Sequence, residues 1–425
     1  MIKQAAILVL LAASAAGSLW GQEGAVPKGV PRLDHVFVIM MENHGYKQII
    51  GNPDTPFANS FAKSSNSATN YFGVAHPSLT NYLEFVGGSN FGVQSDNNPD
   101  WHNATCTNNL QSATTNTDTP ASPAICPIYG TGTDAATPAV DCTNEVQCAP
   151  GSAAGENNID GVKSIAAHSH IVGKTIADQL VEAGLTWKSY QESLGRQGAD
   201  KVNFSDGFFT DSSNILAVLP LETQGLLKLY AAKHDPFVYF RSVQEGKDAD
   251  LSLSRVVGFE GHRGLFEDLD SGNVPSFSFI APNQCNDQHG RANGGTQCDF
   301  DPNDNGTLVG LNPALMYIGD LTLRTIVKQI HASPAWEKGR NAIVVVWDED
   351  DYSVAPTTNR VLAIVNTNYG EQGQKDNTFY THFSMLKTLE GAFRLPCLNH
   401  ACDAQTKVMS SLFSGPDGDH DGDDQ

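Results

Sequence analysis

Basic residues are scarce in this 425-residue chain: it has 26 lysines and arginines but 47 aspartates and glutamates, for a formal net charge of −21. Nucleic acid is a disfavoured partner, because a phosphate backbone needs Lys and Arg to neutralise it. Unaided docking on an anionic membrane is disfavoured for the same reason. We therefore expect neither a nucleic-acid partner nor a charge-driven attachment to lipid.

Long apolar runs are also missing. The stretch AAILVLLAASAAG at residues 5–17 has 13 residues, whereas a membrane-spanning helix needs about 20. It follows Lys3 and is followed by small residues, which is the pattern of a secretory signal peptide. We assign residues 1–22 to that signal and expect a secreted or periplasmic protein without stable membrane insertion.

No C-x-x-C pair occurs among the eight cysteines, so a zinc–thiolate site has little support. Export makes disulfides the expected state. We predict the local pairs Cys285–Cys298 and Cys397–Cys402. The other four cysteines allow three pairings, between which the sequence does not choose; they are Cys106, Cys126, Cys142 and Cys148.

Short, continuous apolar runs alternate with amphipathic helical patterns along the chain. This alternation is typical of a mostly parallel sheet with helices on both faces. We predict a single α/β domain over residues 26–412. The predicted strands are 36–41, 237–240, 276–280, 342–347 and 360–365, and the predicted helices are 175–184, 315–333 and 382–393.

Two segments differ from this pattern. Residues 89–165 are dense in Asn, Thr, Ser, Gly and Pro and contain four cysteines. They predict a disulfide-stapled insertion, since a structureless loop of that length is unusual inside a compact domain. The acidic tail at 413–425 is predicted to be disordered.

Polar side chains follow three of the predicted strands, where each strand ends. Glu42 and Asn43 follow the first strand, and Asn283, Asp287 and His289 follow the strand at 276–280. In open α/β sheets, ligands bind beyond the carboxyl ends of the strands. These groups are therefore candidates for one binding site.

Four consecutive acids at 348–351 follow the apolar strand 342–347. Crowded carboxylates repel one another unless a cation or water screens them. Hard oxygen ligands favour calcium, magnesium or manganese over zinc, although zinc also accepts carboxylates. A metal site is the favoured interpretation, and a solvated turn after the strand is the alternative.

Ser78 is predicted to be the N-cap of a helix that runs over residues 79–86. Capping is the more common role of a serine at such a position. The alternative is that the helix N-terminus holds a phosphate beside the Ser78 hydroxyl. His289 and His382 could contact a phosphoryl group or protonate a leaving group, but a single histidine is more often structural.

Five stretches, in this order over about 33–396, resemble the phosphoesterase family, which includes bacterial acid phosphatases and phospholipases C and has the alkaline-phosphatase-like fold. They are DHVFVIMMENHGYKQIIGNPDTPFANSFA, HPSLTNYLEFVGG, PNQCNDQHG, VVWDEDD and THFSMLKTLEGAFRLP. The insertion at 89–165 is the part least like the family. The motifs are specific for the family and much less specific for a substrate.

The resemblance implies a divalent metal site. The sequence differs from the better-known alkaline phosphatases because no second set of Asp and His ligands can be placed, so we expect one ion. The residues that match the metal ligands of the family are Glu42, Asn43, Ser78, Asp348 and Glu349. Ser78 also matches the nucleophile, which forms a phosphoserine intermediate in this interpretation.

The resemblance also implies roles around the phosphoryl group. His289 and His382 match histidines near that group and are predicted to be catalytic. His76, Asn283 and Asp287 are predicted to bind substrate, although support of the nucleophile is an open alternative for His76. Asp350 and Asp351 have no clear family role and are expected to be solvated.

The leading hypothesis is a secreted, metal-dependent phosphomonoesterase of the acid-phosphatase type. A phospholipase C that cleaves diesters at lipid headgroups is the alternative enzyme. A calcium-stabilised extracellular binding protein without catalysis is the alternative of another class. DPNDNG at 301–306 matches the opening of an EF-hand loop, but Asn312 stands where that loop requires a bidentate Glu. The sequence does not determine the oligomeric state or the identity of the metal.

Overall fold

The computed structural model describes residues 23–91, 133–134, 171–194, 229–291, 295–350 and 359–413. The predicted signal peptide and nearly all of the predicted insertion and acidic tail lie outside these residues. Asp351 and the four cysteines of the insertion lie outside them as well.

Eleven strands belong to two sheets in the described part of the chain. They are β1 (His35–Met41), β2 (Asn66–Phe72), β3 (Thr133–Asp134), β4 (Ile171–Val172), β5 (Trp187–Gln191), β6 (Val256–Gly258), β7 (Phe277–Ala281), β8 (Asn341–Trp347), β9 (Arg360–Thr367), β10 (Lys375–Asp376) and β11 (Tyr380–Thr381). The large sheet has the order β10–β2–β9–β8–β1–β7–β5–β6, with β11 also paired to β2, and β3 pairs with β4.

The centre of the large sheet is parallel. β8, β1, β7, β5 and β6 run in the same direction, whereas β9 is antiparallel to both β8 and β2. Met41 pairs with Trp347 in the register of β1 with β8. The residues that follow these two strands therefore leave the sheet side by side, at its carboxyl edge.

Nine α-helices connect or flank the described strands. They are α1 (Tyr46–Ile49), α2 (Pro56–Ser64), α3 (Ser78–Gly87), α4 (Ile176–Glu182), α5 (Arg241–Glu245), α6 (Leu265–Ser271), α7 (Pro313–Ala332), α8 (His382–Phe393) and α9 (Ser410–Phe413). Four 3₁₀ segments accompany them: Ala232–His234, Pro236–Tyr239, Leu253–Arg255 and Asn399–Cys402.

The helices form two packed groups: α2 and α6 contact α7, while α3 and α4 contact α8. All seven residues of β8 are buried, as are all residues of β1 after His35. A strand that alternates its side chains between two faces is buried throughout only when both faces are covered. The predicted mostly parallel α/β sheet, covered by helices, is confirmed.

One predicted strand is wrong, and seven of the described strands were not predicted. Residues 237–240 fall mainly in the 3₁₀ segment Pro236–Tyr239, where the Phe237 ring packs 4.6 Å from Trp187. A short apolar run does not distinguish a strand from another buried segment. β2 and β5 escaped prediction because neither is a continuous apolar run, and β3, β4, β6, β10 and β11 escaped it because each has only two or three residues.

Both predicted local disulfides are confirmed. Cys285 bonds to Cys298, with Cα atoms 4.8 Å apart, and Cys397 bonds to Cys402, with Cα atoms 5.1 Å apart. The first closes the loop after β7, which contains His289. In the described residues, no helix combines the length and the apolarity needed to cross a membrane.

Candidate active site

Three strand ends and one helix start meet at the carboxyl edge of the sheet. Glu42 follows β1, and its N–H donates to the Asp287 carbonyl in the loop after β7, at 2.9 Å. Asp348 follows β8, and its N–H donates to the Met41 carbonyl at 3.0 Å. The main chain itself therefore brings together acids that lie up to 306 residues apart in the sequence.

Ser78 is the first residue of α3, and Pro77 occupies the cap position. The predicted cap is therefore wrong by one residue. The Ser78 hydroxyl lies 3.2 Å from Glu42 Oε2 and 3.2 Å from Glu349 Oε1. The hydroxyl is therefore directed at two buried carboxylates and does not serve as a helix cap.

The carboxylates of the site are held away from water. Burial is the main cause that raises the pKa of Glu42, Asp287 and Asp348 well above their usual values. Neighbouring acids raise these pKa values further: Asp348 acts on Glu42, and Glu349 acts on Asp348. Such a cluster carries its full negative charge only when positive charge compensates it.

Several buried atoms of the cluster have no hydrogen-bond partner within the described residues. They are Glu42 Oε1, Asp287 Oδ2, Asp348 Oδ2 and both ring nitrogens of His234. His234 Nε2 lies 3.1 Å from Glu42 Oε1 and Nδ1 lies 3.0 Å from Asp287 Oδ2, but the angles are not those of hydrogen bonds. The carboxylates of Glu42 and Asp287 therefore lie close to the imidazole of His234 without forming hydrogen bonds to it.

The donor set fits a divalent cation. Burial lowers the pKa of His234 well below its usual value, and neutral imidazole is the form that binds metals. One donor atom each from Glu42, His234 and His289 lie within 4.8 Å of one another. Carboxylate oxygens with imidazole suit manganese or zinc as well as the harder ions, so the donors leave the identity of the metal open.

Asn43 contributes through its backbone. Its N–H donates to Asp348 Oδ1 at 3.0 Å. The residue has φ of 63°, in the left-handed region that Asn tolerates better than most residues. This unusual turn directly after β1 aims the amide at the Asp348 carboxylate and so fixes its orientation.

Glu349 is held from two sides. Asn81 Nδ2 donates to Glu349 Oε2 at 2.9 Å, and His76 Nδ1 lies 2.8 Å from the same oxygen. The other oxygen of Glu349 faces Ser78. His76 therefore contacts the acid beside Ser78, which favours support of the nucleophile over direct contact with substrate.

Lys233 and His289 lie next to each other, and Lys233 also contacts Ser78. Lys233 Nζ is 3.4 Å from Ser78 Oγ and 3.0 Å from His289 Nε2. His289 Nδ1 lies 2.8 Å from the Gly290 carbonyl, an acceptor, so Nδ1 carries the proton and Nε2 accepts from the ammonium. The main-chain N–H of His289 donates to Asp287 Oδ1 at 2.7 Å. His289 is thus held with Nε2 against the Lys233 ammonium, which in turn lies beside Ser78 Oγ.

Two residues predicted to touch the reacting groups are occupied elsewhere. His382 Nε2 lies 2.6 Å from the Asp348 carbonyl, and Nδ1 lies 3.0 Å from the Tyr71 hydroxyl. Asn283 Oδ1 accepts from the N–H groups of residues 285 and 286, and its Nδ2 donates to Ser193. Both side chains support the loops that carry the site, so the geometry disfavours a catalytic His382 and a substrate-binding Asn283.

Asp350 is buried and not solvated, contrary to expectation. Its carboxylate accepts from the Asn359 N–H at 2.8 Å, and its own N–H donates to Asn359 Oδ1 at 3.0 Å. The DPNDNG loop is also occupied: Asp301 accepts from the Asn312 N–H at 2.6 Å and lies 2.8 Å from His44 Nε2. The first carboxylate of the EF-hand-like sequence is therefore already bonded within the protein.

Sequence reasoning missed Lys233 and His234. They lie in YAAKHDPFVYF at 230–240, where a Lys-His-Asp triplet interrupts an apolar stretch. That interruption was the available signal, but the apolar residues after it were interpreted as a strand. The same reasoning predicted that Asp287 binds substrate. In the structure the Asp287 carboxylate lies beside His234, and its carbonyl accepts a hydrogen bond from the Glu42 N–H.

Comparisons with known proteins identify the family of the chain. The family model described as "Phosphoesterase family" matches residues 52–297 and 313–396. A phosphatidylinositol-3-phosphatase of Mycobacterium tuberculosis is 24% identical over 403 residues, which cover 94% of this chain and 91% of that protein. An acid phosphatase of Aspergillus fumigatus is 21% identical over 363 residues, which cover 85% of this chain but 55% of that protein.

Among solved structures, a protein in the alkaline phosphatase superfamily from Vibrio parahaemolyticus aligns with 14% identity and a TM-score of 0.40. The alignment covers 89% of this chain and 70% of that protein.

Proposed function

The chain belongs to the phosphoesterase family and is a hydrolase of phosphoric esters, and from this premise we propose that it is an exported, metal-dependent phosphomonoesterase with Ser78 as its nucleophile. The observation that carries this proposal is the Ser78 hydroxyl between two buried carboxylates, Glu42 and Glu349. Two relatives are named acid phosphatases and a third phosphatidylinositol-3-phosphatase, which favours a phosphatase over a phospholipase C.

Buried carboxylates at the strand ends support a metal site in this proposal. The ion would be held by Glu42, Asp348, Glu349 and Ser78, with Asp287 and His234 as further donors. Asn43 would lie at the edge of this metal site. A bound divalent cation would supply positive charge that lowers the pKa of the Ser78 hydroxyl and polarises a phosphoryl oxygen.

The side chains around Ser78 account for the proton transfers. A carboxylate of Glu42 or Glu349, each 3.2 Å away, takes the hydroxyl proton as Oγ attacks phosphorus. The bond from phosphorus to the leaving oxygen breaks, and His289, which takes up a proton from solvent at Nε2 when substrate binds, gives that proton to the leaving oxygen. Water then attacks the phosphoserine and gives a proton to His289 Nε2, while Ser78 Oγ leaves and recovers its proton from the carboxylate.

The first test is hydrolysis of p-nitrophenyl phosphate by the mature protein, after chelation and then with single divalent metals added back. We expect activity to be lost with the chelator and restored by at least one metal. No activity with any metal would contradict a metal-dependent monoesterase. A phosphodiester assay would then test the phospholipase C alternative, and a metal-raised melting temperature without cleavage would favour a non-catalytic protein.

Ser78→Ala tests the nucleophile. The variant should fold and bind metal like the wild type but lose turnover by about 10³-fold or more, as nucleophile variants of other hydrolases do. Ser254→Ala, which changes an exposed serine outside the site, is the matched control and should keep full activity. Turnover close to wild type in Ser78→Ala would exclude Ser78 as the nucleophile.

A further inference from the structure

A lysine stands beside the nucleophile of a strongly acidic site. Lys233 belongs to the 3₁₀ segment Ala232–His234, which packs against α3. Its ammonium lies 3.4 Å from Ser78 Oγ and 3.0 Å from His289 Nε2. The side chain is half-buried, whereas His234 next to it is buried. Lys233 is therefore the more accessible of these two residues.

The contacts of Lys233 give it a more specific position than charge compensation requires. Its charge lowers the pKa values of Glu42, Asp287 and Asp348, against the larger effect of burial. A cation anywhere in this cluster would do the same. Lys233 instead extends to the nucleophilic hydroxyl and to the histidine that we assign as proton donor.

The phosphoryl group must occupy the space between these contacts. When Ser78 Oγ bonds to phosphorus, the non-bridging oxygens lie one bond beyond Oγ. An ammonium 3.4 Å from Oγ is then within reach of one of them, because an N⁺–H···O⁻ hydrogen bond spans about 2.7–2.9 Å. Lysine acts as a point charge toward phosphate and is a common phosphate ligand in proteins.

We propose that Lys233 binds a non-bridging oxygen of the substrate phosphoryl group and makes the site selective for phosphomonoesters over phosphodiesters. This inference rests on the proposed function. A monoester carries between one and a half and two negative charges at pH 7, whereas a diester carries one and has an organic group where the monoester has its third free oxygen. The charge of Lys233 therefore compensates the additional charge of the monoester.

The test compares p-nitrophenyl phosphate with bis(p-nitrophenyl) phosphate, which share a leaving group, in the metal-loaded enzyme. Lys233→Gln should lower kcat/KM for the monoester by about 10²–10³-fold, as removal of one oxyanion donor does elsewhere, and for the diester by less than about tenfold. Lys233→Arg should restore most of the monoester activity. Inhibition by inorganic phosphate should weaken in Lys233→Gln.

Lys247→Gln is the matched control, since the Lys247 side chain is 81% exposed and pairs with Glu245 on the surface. It should leave both activities unchanged. Equal losses on both esters in Lys233→Gln, or a lower melting temperature with an unchanged ratio, would overturn the proposal and make Lys233 a structural counter-charge.

Wild-type protein that cleaves neither ester would contradict the proposed function itself. Calorimetry with inorganic phosphate then tests the binding role of Lys233 separately. Weaker phosphate binding by Lys233→Gln would support the assigned contact, and an unchanged Kd would overturn it.

Discussion

His382 offers the clearest test of a catalytic role against a supporting one. Its imidazole bridges the Asp348 carbonyl, at 2.6 Å from Nε2, and the Tyr71 hydroxyl, at 3.0 Å from Nδ1. Burial lowers the pKa of His382 to about 4. The neutral ring can therefore donate from Nε2 to the carbonyl and accept at Nδ1 from Tyr71.

His382→Phe keeps a ring of similar size but removes both hydrogen bonds. Each buried polar group left without a partner costs about 1–3 kcal/mol, so the loss in unfolding free energy should be about 2–6 kcal/mol. That is a large part of the roughly 5–15 kcal/mol by which a typical domain is stable. Turnover should fall only through the looser position of Asp348.

Denaturant unfolding at neutral pH and kcat on p-nitrophenyl phosphate, measured on the same preparation, decide between the two roles. Tyr71→Phe is the control, because it leaves only His382 Nδ1 without its partner and should cost about 1–3 kcal/mol. A proton donor would behave differently. If His382→Phe keeps wild-type stability and loses turnover by a hundredfold or more, the supporting role is refuted.

Glu390→Gln in α8 should stabilise the protein increasingly as the pH rises above 4.5 and have little effect below it. Burial raises the pKa of Glu390 well above 4.5, so the folded state keeps a proton that the unfolded state releases. The stability of the wild type is therefore lost as the pH rises through the folded-state pKa. An equal change in melting temperature at pH 4 and pH 8 would contradict this reasoning. Replacing both cysteines of Cys285–Cys298 by Ala should cost about 3 kcal/mol, given a loop of this length, and should also lower kcat/KM because the loop carries His289. The same replacement at Cys397–Cys402 should lower stability alone; equal losses of activity in the two double variants would exclude a specific effect on His289.

The acids of the site could be predicted because each follows a strand that can be recognised from its own sequence. β1 and β8 are buried on both faces, so their sequences are continuous apolar runs, and the change to Glu42 and Asp348 marks where each strand ends. Ser78 could be named because its motif resembles a known family. These features are local in the sequence, and reading them needs no knowledge of long-range contacts.

The surroundings of these acids could not be predicted in the same way. Lys233 is 155 residues from Ser78 in the sequence, and the short apolar run beyond it resembles a strand. Nothing in its neighbours indicates that its ammonium meets a serine at a helix start. For His382 the family pattern suggested a catalytic role, whereas in the structure both ring nitrogens contact other groups of the protein, the Tyr71 hydroxyl and the Asp348 carbonyl.

The sequence by itself therefore determined the fold class, three of the five strands of the parallel centre, both local disulfides and the acids beside Ser78. Only the tertiary structure decided which side chains share the site with them. The physical reason is that a buried strand and a disulfide between nearby cysteines depend mainly on residues close together in the sequence. The approach of Lys233 to Ser78 and of His234 to Glu42 depends instead on how separate segments pack.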